Sequence, residues 1–139
     1  MNKEIAVLMG FGQATCSLRE HGRLVVFSWQ QGGWQVSRKI ACMVPAGSGA
    51  QELRARLPKI IYFLGECKIF AGLNVNGILY YELAKNDCSV WEVAGRPEQF
   101  LDDLWFMELL LAVRRKHNAA RNTALVSAGA YCGVKPFFD

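Results

Sequence analysis

The sequence predicts an α/β fold: a mixed five-stranded sheet made of three antiparallel strands, followed by helix, strand, helix, strand and helix. Three observations carry this expectation. Ile69, Phe70, Ala71 and Leu73 form an apolar run with no polar alternation, the pattern of a strand covered on both faces. The stretch from Lys59 to Val93 reads as a helix end, that buried strand, a short helix and a second buried strand, and a parallel return of this kind implies a right-handed crossover. Upstream, Gln30 to Gly33 separates two strand-like runs with a Gly-Gly pair suited to a tight hairpin.

Taken in order, Glu4 to Met9 is nearly all apolar and reads as a central strand. Gly10 and Gly12 break it, and Gln13 to Glu20 fits either a short strand or a loop. Arg23 to Trp29 is the second strand. Trp34 to Met43 is the third, with Trp34, Val36, Ile40 and Cys42 on alternate positions apart from Arg38. After the Pro45–Gly49 loop, Ser48 with Gln51 fits a capping box. Leu53, Leu57, Ile60, Ile61 and Leu64 mark one helical face, and Gly65 suits its C-terminal cap. Pro58 predicts either a kink or a helix that begins near it. Ile78, Leu79, Tyr81, Leu83 and Ala84 supply the inner face of the short helix, and Ser89 to Val93 the last strand. Pro97 and Glu98 suit the first turn of a final helix running to about His117. This is the order of the ribonuclease-H-like fold. Residues 1–117 form a single α/β domain, and residues 118–139 a C-terminal tail docked on it.

The chain has 139 residues, 52% of them apolar, and a net charge of +4. That supports one full core. The N-terminus lacks a signal peptide's order and no apolar run is long enough for a bilayer, so a cytoplasmic location is expected, with no membrane partner. The five cysteines form no C-x-x-C pair, which argues against a zinc ribbon and a thioredoxin-type motif. The excess of positive charge sits largely in Arg114, Arg115, Lys116 and Arg121 and is too small to favour nucleic acid. Metal-dependent nuclease activity is also disfavoured. It needs carboxylates converging from the central strands, whereas the first strand offers only Glu4 and the fourth none.

The segments EIAVLM, GRLVVFSWQQGGWQVSRKI and ELRARLPKIIYFLGECKIFAGLNVNGILYYELAKNDCSVWEVAGRPEQFLD resemble the iron-only nitrogenase accessory protein family, AnfO. FLGECKIFAGLNVNGILYYEL followed by SVWE is the most specific part, and the match spans residues 4 to 105. More distantly, the layout is similar to the nitrogenase cofactor carriers NifX and NafY, in which a cysteine before the fourth strand and a glycine after it recur, as Cys67 and Gly77 do here. The resemblance implies a non-catalytic role in nitrogenase maturation, binding or screening an iron–sulfur cofactor (the FeFe cofactor) or the apo-nitrogenase. The implied partners are the iron-only nitrogenase protein or its maturation factors, with a second copy of the chain a further candidate. The alternative is a cofactor-free interaction module that self-associates or docks on a partner through a long apolar C-terminal helix.

Asn74, Asn76 and Gly77 fall between the carboxyl end of a strand and the amino end of a helix, where open α/β sheets bind ligands and helix N–H groups favour anions. A plain turn is the competing reading. Cys16 and His21 lie in the loop after the first strand, a favoured ligand location; Cys16 is the first candidate thiol, weighed evenly against a purely structural role, and for His21, beside Gly22, a turn residue is the competing and favoured reading. Cys67 is a second candidate metal ligand, set against its role as a small buried hydrophobe. The candidate cofactor-binding set is therefore Cys16, His21, Cys67, Asn74, Asn76 and Gly77, with Cys16 and Cys67 the metal ligands.

Overall fold

The computed structural model describes residues 3–18, 22–41, 49–121 and 134–136. They form strands β1 (Glu4–Gly10), β2 (Gly22–Gln30) and β3 (Gly33–Ala41), helix α1 (Ala50–Leu64), strand β4 (Ile69–Gly72), helix α2 (Gly77–Lys85), strand β5 (Ser89–Val93), helix α3 (Pro97–Arg121) and strand β6 (Val134–Pro136). The sheet order is β3-β2-β1-β4-β5-β6. β1 pairs parallel with β4, and β4 with β5. β1–β2, β2–β3 and β5–β6 are antiparallel. The first five strands have the ribonuclease-H-like arrangement expected from the sequence. β6 adds a sixth strand that the pattern of the tail did not specify.

The apolar runs separate into two cores by strand alternation. Ala6, Leu8, Leu24, Val26, Phe70 and Val90 face α1 and α2. Ile5, Val7, Met9, Val25, Ala71 and Trp91 face α3. β1 is buried along both faces because helices lie on both sides of it. Each fully buried Leu or Phe contributes about 1.5–3 kcal/mol.

The hairpin turns through Gln31 and Gly32, both at positive φ (53° and 80°), the two-residue geometry that matches strand twist. β3 departs from simple alternation. Phe27 pairs with Val36 and Val26 with Arg38, so Ser37 is an extra residue in a β-bulge. The bulge reverses the facing of everything after it. Trp34 packs on the α3 side, whereas Ile40 packs on the α1 side, correcting the expectation that they share a face. Cys42 lies outside the described residues.

α1 begins at Ala50 and runs through Pro58, so it does not start near the proline. Its N-cap is Gly49, with no side-chain cap bond, and Ser48, expected to cap it, lies outside the described residues. Gly65 is the C-cap, its N–H donating to Ile61 O at 3.4 Å. The last turn of α1 has no basic residue of its own. Arg38 from β3 supplies one instead: it donates to Phe63 O (3.1 Å) and Leu64 O (2.6 Å) and pairs with Glu4 (3.2 Å). At the start of α3, Gln99 Oε1 accepts the Arg96 N–H at 3.0 Å, half of a capping box. The helix then buries Phe100, Leu101, Leu104, Glu108 and Leu111 along one stripe and continues past the expected His117 to Arg121.

Candidate functional site

β1, β4 and β5 are parallel, so their carboxyl ends share one edge of the sheet. The segment after β1, ambiguous in sequence, crosses that edge as a strap. Cys16 N–H donates to Leu8 O (2.9 Å), Leu73 N–H donates to Cys16 O (3.0 Å), and Thr15 N–H donates to Gly95 O (2.8 Å). The Gly95 N–H donates back to Thr15 Oγ1 at 3.1 Å. The strap thus ties the ends of β1, β4 and β5 together, and Cys16 points into the core, 5% exposed. No signal in residues 13–18 announces this, because the bonds are made by backbone groups to distant partners.

Outside the strap lies a crevice of about 510 Å³ lined by Ser17, Leu18, Leu53, Asn74, Asn76 and Gly77, among others. It is bracketed by the amino ends of α1 and α2. Gly49 and Asn76 are their N-caps, and neither helix has a side-chain cap bond. Two helix ends therefore direct N–H donors and positive partial charge toward one opening, an environment suited to carboxylate or carbonyl oxygen. Asn74 and Gly77 take positive φ (53° and 61°), and the Asn74 N–H is held by Glu92 Oε1 at 2.9 Å. Asn74, Asn76 and Gly77 are exposed at this rim. Glu92 is a contributor to the rim that the sequence did not single out.

Cys67 lies at the opposite, amino end of β4, so Cys16 and Cys67 do not converge. Cys67 is 1% exposed, and its thiol reaches Ile69 O at 3.5 Å. Burial pushes its pKa up to about 11, the bond to Ile69 opposing and the nearby Glu4 charge adding to the rise. It is a neutral thiol at neutral pH. Burial likewise raises Cys88. His21 and Cys132 lie outside the described residues.

Among the described residues no group of three or more His, Cys, Asp and Glu side chains could hold a metal ion. The carboxylates are dispersed: Glu4 pairs with Arg38 at the amino end of β1, and Glu92 serves the Asn74 turn at the other end. This overturns the expectation of a bound iron–sulfur (FeFe) cofactor. The thiols that would have ligated it are buried at opposite ends of the sheet, and among the described residues neither belongs to a group of three or more such side chains able to hold a metal. The interaction module built on an apolar C-terminal helix is not supported either. α3 has one buried stripe, and its outer positions mix Phe106, Leu109, Leu110 and Val113 with Asp102, Asp103, Arg114, Arg115 and Lys116. Among the described residues no helix is long and apolar enough to cross a membrane.

The molecule is thus of the ribonuclease-H-like class, with the carboxyl edge of its sheet strapped by its own chain and a donor-rich crevice beyond the strap. The family model described as "Iron only nitrogenase protein AnfO" matches residues 4–131, and the chain belongs to that family. The match extends beyond residue 105, into the tail. No curated protein and no solved structure matches the chain. Family membership makes it a non-catalytic accessory protein of iron-only nitrogenase maturation with a nitrogenase-related partner.

Proposed function

We propose that this accessory protein acts by docking on the iron-only nitrogenase protein or one of its maturation factors, in the cytoplasm, by protein–protein contact. The observation that carries this reading is the family match over residues 4–131, joined to a described surface without a metal-binding cluster. We assign contact to the crevice rim at Asn74, Asn76 and Gly77, where two helix amino ends favour an acidic or carbonyl-rich element of the partner. Cys16 supports the crevice from beneath, and Cys67 supports the other end of the sheet. Residues 1–117 act as one α/β domain in this reading, with residues 118–139 as a tail docked against it.

The test is an anaerobic pull-down with the purified iron-only nitrogenase protein, with and without its cofactor, and with its separate maturation factors. Retention of one of these, weakened by Asn76→Asp, is the expected result. Aspartate keeps an N-cap residue at the head of α2 but sets a negative charge where the crevice favours oxygen. Retention of none at micromolar concentration ends the docking reading. Retention indifferent to Asn76→Asp moves the contact away from the crevice.

A further inference from the structure

β3 is the outer strand of the sheet and pairs only with β2 among the described residues. Its hydrogen-bond parity follows from the hairpin. With a two-residue turn, Gln30 and Gly33 are the bonded pair. Gly33 and Gln35 therefore address β2, while the backbone N–H and C=O groups of Trp34 and Val36 point outward. The close approach of the Trp29 and Trp34 rings, 5.5 Å between centroids, agrees with a non-bonded pair at that position. Past the Ser37 bulge the parity resumes, with Val25 opposite Lys39, and the backbone of Lys39 also points outward.

The same three residues, Trp34, Val36 and Lys39, line a groove of about 490 Å³ between the sheet and the start of α3, with Val25, Phe27 and Leu101 on its apolar floor. The coincidence is geometric. Residues that share backbone parity on a strand share a face, and the bulge keeps Lys39 on the groove side. Val36 is 56% exposed there. The charges of the rim are unevenly satisfied. On the helix side Glu98 faces Arg96 at 3.7 Å, and Asp102 accepts the Trp34 Nε1–H at 2.8 Å. On the strand side Arg23 donates to the neutral amide of Gln13 at 3.0 Å, and Lys39 has no acidic partner among the described residues. Arg23 and Asp102 thus each meet a neutral partner, and Lys39 is the groove charge left without a partner among the described residues.

A row of outward backbone donors and acceptors is satisfied in order by another extended backbone. We propose that the β3 edge receives an extended segment of the partner protein, adding a strand whose side chains opposite Trp34 and Val36 are apolar and whose side chain opposite Lys39 is acidic. The proposal rests on the docking reading above and names the partner element it would recognise. Because the bulge adds its extra residue to β3 alone, the residues facing Trp34, Val36 and Lys39 alternate strictly on the added strand, as Trp29, Phe27 and Val25 do on β2.

Two measurements test it. The first follows tryptophan fluorescence as a capped peptide of alternating valine and threonine, with a terminal glutamate, is titrated into the full chain. A version N-methylated on alternate amides and a version with lysine in place of glutamate are compared. Saturable binding is expected, abolished by N-methylation, weakened roughly tenfold by Lys39→Glu and restored in that variant by the lysine peptide. Equal binding of the N-methylated peptide, or no restoration, overturns the proposal, as does the absence of binding. The second repeats the pull-down with Val36→Asp and Lys39→Glu, both checked for native circular dichroism. If the wild type retains its partner and both variants retain it equally, the edge proposal fails while docking stands. If the wild type retains nothing, the docking reading fails and takes the partner segment with it.

Discussion

Cys67 and Gly22 show how single residues set the terms of this fold. The Cys67 thiol is raised from 9.0 to about 11 by burial. Below pH 9 folded and unfolded chains both keep the thiol proton, and its contribution to stability is fully present. Between 9.0 and about 11 the unfolded chain ionises first, so stability falls as pH rises, by roughly 2–3 kcal/mol across the window. Urea denaturation from pH 8 to 11 measures this, and in Cys67→Ala the slope should be shallower than in the wild type. Gly22 is required by space. A Cβ there would sit 2.5 Å from Met9 O and 2.8 Å from Cys16 Sγ, so Gly22→Ala is expected to destabilise by about 1–3 kcal/mol, read as a lowered denaturation midpoint. In sequence Cys16 and Cys67 looked alike as candidate ligands. Burial, which depends on residues far along the chain, makes both thiols part of the core.

At the scale of elements, the bulge in β3 has the largest consequence. It turns Arg38 toward α1, where the guanidinium serves two terminal carbonyls and Glu4. Arg38→Ala should cost about 1–3 kcal/mol, through lost bonds to a charged donor and a half-buried end of α1 left without its cation. Thermal denaturation checks it, and Glu4→Gln should cost less than Arg38→Ala because the two carbonyl bonds survive. The strands themselves were legible because apolar runs and alternation report burial directly. The bulge was not, since Ser37 has no composition that marks it as extra, although Arg38 interrupting the alternation was its trace. The capping residues of α1 were likewise illegible: a helix end is satisfied by whichever donor tertiary packing brings near.

At the scale of the molecule, the strap joins the ends of three parallel strands through backbone bonds. In hydrogen exchange the amides of Thr15, Cys16 and Leu73, all bonded, should exchange more slowly than the exposed amide of Gly12, by roughly a hundredfold or more. Comparable rates would mean that the strap opens independently of the sheet. The crevice was partly legible. Asn74, Asn76 and Gly77 were placed by topology alone, because a strand-to-helix turn at the carboxyl edge falls there in any parallel unit. Leu53 and Ser17, which complete its wall, come from other parts of the chain and carried no mark of it.

The sequence by itself determined the order of the elements from β1 to α3, the two faces of the central strands and the family, since each is written in local periodicity or in contiguous runs such as FLGECKIFAGLNVNGILYYEL. Only the tertiary structure decided that the thiols are buried at opposite ends of the sheet, that the carboxylates stay apart, and that the bulge aims Lys39 and Val36 into one groove. Convergence of side chains depends on register and crossover, and a shift of one residue reverses every face that follows.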